Sequence, residues 1–163
     1  MKIAVISDTH FRDNEKWLPP EVVNDLREAD LIVHCGDFEA YSAYRRMLEL
    51  GQLVAVYGNM DTSGVKEALP DLVVFEAAGH KIGVTHGSGA PSGIEDRVAA
   101  QFREKVDIIL FGHSHQPRNE YINGVLFFNP GSPTDRIFAP YNSYGIIELT
   151  DSGINAEIIR LDK

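Results

Sequence analysis

Asp107-Ile108-Ile109-Leu110-Phe111-Gly112-His113-Ser114-His115 decides how this chain reads. Five residues suited to a buried strand run straight into a glycine and two histidines. A strand that turns at once through glycine holds its next side chains at the edge of a sheet. If the strand extends far enough, His113 and His115 share one side by period two; in the turn they can diverge and serve two centres. Two histidines this close are the minimum of a metal site, and a plain polar turn has the same local sequence. The rest of the chain decides between them, because the pattern recurs.

Upstream, the apolar run at 2–7 ends in Asp8-Thr9-His10, and Leu31-Ile32-Val33 ends in His34-Cys35-Gly36-Asp37. Residues 52–56 end in Tyr57-Gly58-Asn59-Met60-Asp61, and 81–85 end in His86-Gly87-Ser88. Helices are expected between these runs. One spans 21–30 behind Pro19-Pro20, and one spans 41–50 and stops at Gly51. A third spans 92–105, with Ser92 as N-cap and Glu95 completing a capping box. Residues 72–77 and 81–85 read as a hairpin with His80 exposed in its turn. Downstream, the spacing predicts strands 118–122 and 125–128 about Asn123-Gly124, then 144–150 and 154–161. Alternating strands and helices followed by strands alone point to an α/β chain with parallel pairing in its first part.

The chain has 163 residues, and 44% hydrophobic composition suffices for one domain, 1–163, with a full core. Fifteen Lys+Arg against 24 Asp+Glu give a net charge of −9. That balance argues against general nucleic-acid or membrane-surface binding, though bound divalent cations would reverse the local field for an anionic substrate. The one cysteine, Cys35, fits a reducing compartment, and no run is long enough to span a bilayer, so a cytoplasmic location is expected.

The apolar runs thus deliver Asp8, His10, Asp37, Asn59, His86, His113 and His115, which include four of the six histidines. Ligands bind where the carboxyl ends of strands converge in an open α/β sheet. Imidazole, carboxylate and one amide, without thiolate, suit Mn²⁺, Fe²⁺, Ni²⁺ or Zn²⁺. Seven such groups exceed the needs of one ion with an open position and match two ions sharing a carboxylate, roughly 3.5–4 Å apart.

In this order, Asp8-Thr9-His10, Gly36-Asp37, Gly58-Asn59-Met60-Asp61, His86 and Gly112-His113-Ser114-His115 resemble the motifs of the calcineurin-like metallophosphoesterases. The length, His34 and Asn129-Pro130-Gly131-Ser132 are similar to the small prokaryotic phosphodiesterase branch. The resemblance implies a four-layer α/β/β/α sandwich of two mixed sheets. It implies one metal on Asp8, His10, Asp37 and His115, and another on Asp37, Asn59, His86 and His113, with Asp37 bridging. The cofactor would be two divalent ions, Mn²⁺ first and Ni²⁺, Fe²⁺ or Zn²⁺ as alternatives. The reaction would be attack of a metal-bridging hydroxide on a small phosphodiester, with Asp37, Asn59 and His86 acting through that hydroxide and through phosphate positioning. His34 is open between supporting a ligand and being a core histidine, and Asp61 between orienting Asn59 and a plain turn. Met60 departs from relatives that carry histidine there, and methionine cannot donate a proton to a leaving group. A phosphomonoesterase of the same fold is one alternative. A non-catalytic scaffold like the retromer subunit of this fold is another, and self-association is left open.

Overall fold

The computed structural model describes residues 1–12 and 17–161. The first half runs β1 (Lys2–Ile6), α1 (Pro20–Glu28), β2 (Leu31–His34), α2 (Tyr41–Leu48), β3 (Leu53–Ala55), α3 (Ser63–Ala68), β4 (Leu72–Ala77) and β5 (His80–Thr85). The second half runs α4 (Ile94–Ala99), β6 (Ile108–Leu110), β7 (Arg118–Ile122), β8 (Val125–Asn129), β9 (Ser143–Thr150) and β10 (Gly153–Arg160).

The strands form two mixed five-stranded sheets, β10-β9-β1-β2-β3 and β4-β5-β6-β8-β7. Alternation along β1 sets the layers. Ile3 and Val5 enter the apolar layer between the sheets, where Ile82, Val84, Ile108, Leu110, Leu126 and Phe128 of the second sheet meet them. Ala4 and Ile6 face outward and are covered by Val22 and Leu26 of α1 and Ala43 and Met47 of α2. On the far side, Ile94 and Val98 of α4 cover Ile109, Phe111 and Phe127. The order is helices, sheet, sheet, helix: the expected α/β/β/α sandwich. Fully burying a side chain such as Leu26 contributes ~1.5–3 kcal/mol, so these three layers carry the fold.

Proline at the first turn of α1 costs no hydrogen bond, as its position predicts. Three features differ from expectation, the first being that α3 stands where no helix is expected. The helix expected at 92–105 is reduced to α4, and no capping box forms. Gly93, at φ +71°, takes the N-cap position, and Glu95 is drawn to Arg118 at 2.9 Å instead of reaching back to Ser92. His80 is half-buried and lies in β5, paired with Ala77, while Ala78 and Gly79 make the turn.

The register decides where the chemistry lies. β1, β2 and β3 pair in parallel, and so do β5, β6 and β8. Each set ends at a common edge, and the two edges meet. The β6–β8 pairing adds a sixth strand end, because β8 begins as the return arm of a hairpin and yet runs alongside β6. The loop after Asn129 therefore reaches the same edge.

Candidate metal centre

Asp8 and Asp37 lie at the bottom of this edge, both buried. Each braces the backbone chiefly through one carboxylate oxygen and turns the other to the centre, although Asp8 Oδ1 also lies 3.2 Å from the His113 amide. Asp8 Oδ2 accepts the Ser7 hydroxyl at 2.6 Å and the His113 amide at 3.0 Å. Asp37 Oδ1 accepts the Met60 amide at 2.8 Å. Glycine is required where these carboxylates approach the chain: a Cβ on Gly58 would collide with the Asp37 carboxylate, and one on Gly112 with Ser7 and Asp8.

The remaining oxygens face the histidines. Asp8 Oδ1 lies 3.3 Å from His115 Nε2, 3.9 Å from His86 Nε2 and 4.0 Å from His10 Nε2. Asp37 Oδ2 lies 3.2 Å from His86 Nε2 and 3.7 Å from His10 Nε2. His10 and His115 bring their Nε2 atoms within 3.2 Å of each other. Asn59 Oδ1 sits 3.1 Å from His86 Nε2 and 3.0 Å from His113 Nδ1. All seven side chains read from the strand ends thus meet in one cluster. His113 and His115 diverge in the turn, one towards Asn59 and the other towards His10.

The outer nitrogens fix the tautomers. His86 Nδ1 is 2.7 Å from the Cys35 carbonyl, and His113 Nε2 is 2.9 Å from the Gly89 carbonyl. His115 Nδ1 is 2.6 Å from Asp135 Oδ2, and His10 Nδ1 is 3.6 Å from Glu39 Oε2. Carbonyl and carboxylate oxygens only accept, so the outer nitrogens of His86, His113 and His115 carry the hydrogen and the inner nitrogen of each neutral ring presents a lone pair; Glu39 is within ion-pair range of His10 without a hydrogen bond. Lone pairs and carboxylates crowded within 3–4 Å repel unless a cation or protons lie among them. Without a cation, protons fill the role. Burial opposes charge on His86, but the Asp37 and Asp8 carboxylates overcome it and push its pKa up to about 9. His115 is likewise opposed by burial and pushed up to about 9 by Asp8 and Asp135. A ligand set of imidazole, carboxylate and amide oxygen with ordered outer partners fits first-row divalent ions.

Backbone strain concentrates here. Asp8 (φ 54°), His10 (47°), Asp37 (61°), His113 (68°) and His115 (55°) all adopt left-handed conformations. Such conformations cost on the order of 1–3 kcal/mol each in bulky residues, less in Asp, and cluster where function demands an odd side-chain direction.

His34 and Asp61 lie outside the cluster and support it. His34 is stacked on Phe38 and connects Thr9 to the Gly36 amide. Asp61 accepts the amides of Asp37, Glu39 and Gly58, which fastens the β2 loop to the β3 loop, while burial raises its pKa. Arg136 lines a neighbouring cavity with Trp17 and Pro133, which His10 of the cluster also borders. Glu39 and Asp135 were not anticipated. Glu39 follows Asp37 by two residues, and Asp135 arrives through the sixth strand end. Asn129 braces the histidine turn there, donating to the Gly112 carbonyl and the Ser114 hydroxyl at 2.9 and 3.1 Å.

The sequence profile of the Calcineurin-like phosphoesterase superfamily domain matches residues 1–152. The chain belongs to that superfamily. The calcineurin-like phosphoesterases are metal-dependent, and two groups able to hold an ion, Asp8–His10–His115 and Asp8–Asp37–His86, fall at the strand ends. This calcineurin-like chain is 39% identical to a probable metallophosphoesterase of Methanocaldococcus jannaschii over 138 residues, 82% of this chain and 69% of the relative. A phosphodiesterase of the same organism is 28% identical over 143 residues, 80% of this chain and 83% of that one. A Thermotoga maritima protein solved in solution superposes with a TM-score of 0.77 at 35% identity, covering 98% of this chain and 99% of that one. A single mutant of Vps29 from Entamoeba histolytica also superposes at 0.77, over 99% of this chain and 100% of that one; its 23% identity speaks to the fold alone. No helix among the described residues is long and apolar enough to cross a membrane.

Proposed function

We propose that the chain is a dinuclear, metal-dependent phosphodiesterase acting on a small phosphoester, with residues 1–163 as one domain. The observation that carries this is the inward cluster of four imidazoles, two carboxylates and one amide oxygen, with the outer nitrogens of His86, His113 and His115 tied to acceptors. Asp8, His10, Asp37 and His115 are the proposed holders of one ion, and Asp37, Asn59, His86 and His113 of the other. Asp37 Oδ2 approaches both histidine sets, at 3.7 and 3.2 Å, which supports it as the shared ligand. Asp8 is its rival, with Oδ1 at 3.3 Å from His115 and 3.9 Å from His86. When bound, two such ions would supply a strong nucleophile from water at neutral pH and neutralise charge on the phosphoryl oxygens.

The protein's own contribution is placement. Asp8 and Asp37 supply negative charge, Asp135 holds the His115 ring in the ligating tautomer, Glu39 lies within ion-pair range of His10, and Asp61 fixes the loop beneath Asp37. Met60 offers no proton at the mouth, so the leaving oxygen receives none from that position. The acidic side chains of the rim favour a diester over a monoester. Among the described residues lining the cavity over the metal centre, with Asn59, His113 and Phe138, Arg12 is the one Lys or Arg, and it is bonded to Glu39 at 2.6 Å. A singly charged diester meets less repulsion from Glu39 and Asp135 than a doubly charged monoester. The similarity to a named phosphodiesterase supports the same choice. The ligand chemistry supports Mn²⁺ with Ni²⁺, Fe²⁺ or Zn²⁺ as substitutes, and the free, buried Cys35 supports a reducing, cytoplasmic setting. A scaffold of this fold would need none of these oriented rings.

The test is metal analysis joined to hydrolysis of bis(4-nitrophenyl) phosphate and 4-nitrophenyl phosphate. Chelation should abolish hydrolysis, Mn²⁺ should restore it, and the diester should be preferred. Full activity in a thoroughly demetallated sample would end the metal reading, and preference for the monoester would reverse the substrate class.

A further inference from the structure

Seven large apolar side chains are exposed among the described residues, and three of them, Met60 (49%), Ile137 (81%) and Phe138 (72%), line one cavity of about 640 Å³ over the candidate metal centre. Exposed apolar residues scattered singly need no explanation, but a group at the rim of a concave polar site does. Ile137 and Phe138 are the two most exposed of the seven.

The loop that presents them is firmly built. Asp135 Oδ1 accepts the Ile137 amide at 2.8 Å, and Oδ2 accepts the amides of Phe138 at 3.0 Å and Ala139 at 2.7 Å. The same Oδ2 receives His115 Nδ1–H at 2.6 Å. One carboxylate therefore ties the apolar pair to a candidate metal ligand. The Phe138 ring stands edge-on to His115, with centroids 6.0 Å apart and planes at 82°. The charged groups of the cavity disfavour an anionic neighbour: Glu39 and Asp135 are acidic, and Arg12 is bonded to Glu39.

We propose that Ile137 and Phe138 form a specificity subsite for an uncharged aromatic arm of the substrate ester, whose phosphate lies at the metal centre. This rests on the phosphoesterase reading above and narrows it to aromatic esters, against esters of glycerol, sugars or further phosphates. The Phe138 ring lies beside the candidate ligand His115, with centroids 6.0 Å apart, and the exposed apolar surface of the pair is covered when a ring lies on it.

Dimethyl phosphate and methyl phenyl phosphate carry the same single charge and differ by one ring. Both have poor leaving groups and act as ligands. Their binding to the metal-loaded protein is measured by calorimetry, and their competition against bis(4-nitrophenyl) phosphate is measured in parallel. Methyl phenyl phosphate should bind about tenfold tighter or more, the scale of stacking on one aromatic side chain. In I137S/F138S that preference should vanish while dimethyl phosphate binds as before. Phe138→Leu keeps apolar bulk without the ring, and its preference should fall between the two. Equal binding of both ligands by the wild type overturns the proposal and leaves phosphoester hydrolysis standing, as does a preference that survives in I137S/F138S or is unchanged in Phe138→Leu. If neither ligand binds and no phosphoester is hydrolysed, both readings fall. A dimer seen by sedimentation in the wild type and lost in I137S/F138S would assign the pair to chain association and overturn the proposal too.

Discussion

Acid should weaken this fold through His34. Its ring is fully buried, with its centroid 3.5 Å from that of Phe38. Nδ1 accepts the Gly36 amide at 3.1 Å, so the ring is neutral and carries its hydrogen on Nε2, 3.1 Å from Thr9 Oγ1. Burial, the largest influence, pulls the pKa down to about 3. In the unfolded chain it returns to about 6.5. Below pH 6.5 the unfolded chain therefore binds a proton that the folded chain refuses. Stability falls as pH drops from 6.5 towards 3 and is untouched above that window. Between pH 7 and pH 5 the proton uptake of this one ring, integrated over pH, amounts to roughly 1.4 pH units, or about 2 kcal/mol at ~1.36 kcal/mol per pH unit. Urea unfolding of chelated protein at both pH values measures it, with His34→Gln as the reference that cannot titrate. Glutamine lowers stability at each pH, so the readout is the difference in pH dependence: the wild type should lose about 2 kcal/mol more. Imidazole nitrogen resonances at pH 5 should show His34 neutral and protonated on Nε2. Equal pH dependence in the two proteins, or a protonated His34 in the folded wild type at pH 5, refutes the reasoning.

Asp37→Ala should lose both ions, whereas Asn59→Ala should keep one; metal-to-protein ratios decide, and a double loss in Asp8→Ala with a single loss in Asp37→Ala would transfer the bridging role to Asp8. Asp135→Asn leaves one acceptor oxygen for four donors and should weaken metal binding ~10–100-fold without unfolding the chain, as titration alongside circular dichroism would show. Unchanged affinity would mean that Asp135 serves its loop alone. Met60→His should raise rates chiefly on esters with poor leaving groups, where general-acid help is worth ~10²–10⁴-fold. A wild type whose rate is already insensitive to leaving-group pKa would point to a proton donor other than residue 60.

Much of this was legible because strand, turn and ligand follow one another in the sequence. Asp8, Asp37, Asn59, His86 and the His113–His115 pair each stand directly after an apolar run, and parallel pairing brings the run ends together. Asp135 was hidden for the opposite reason. Asn123-Gly124 announces a hairpin, and nothing in a hairpin says that its return arm will lie parallel to β6. Glu39 was hidden because one acid near another reads as ordinary surface charge. α3 escaped notice because only Val65 of its six residues is buried, which leaves no periodic stripe. α4 was overestimated because a capping box needs a free glutamate, and Glu95 is engaged across the fold by Arg118.

The left-handed backbone at Asp8, His10, Asp37, His113 and His115 bears on how such a chain can change over time. Glycine would sit at these positions with less backbone strain, although replacing Asp8 or Asp37 would also strip acceptors from Ser7, His113 and Met60. Selection for folding alone would therefore erode the histidine ligands first and spare the sandwich. Losing them relieves backbone strain, and regaining them means climbing back through several strained residues at once. A lineage of this fold that stops needing the reaction has a one-way door: it can keep the shape, shed the ligands and find other employment for the surface.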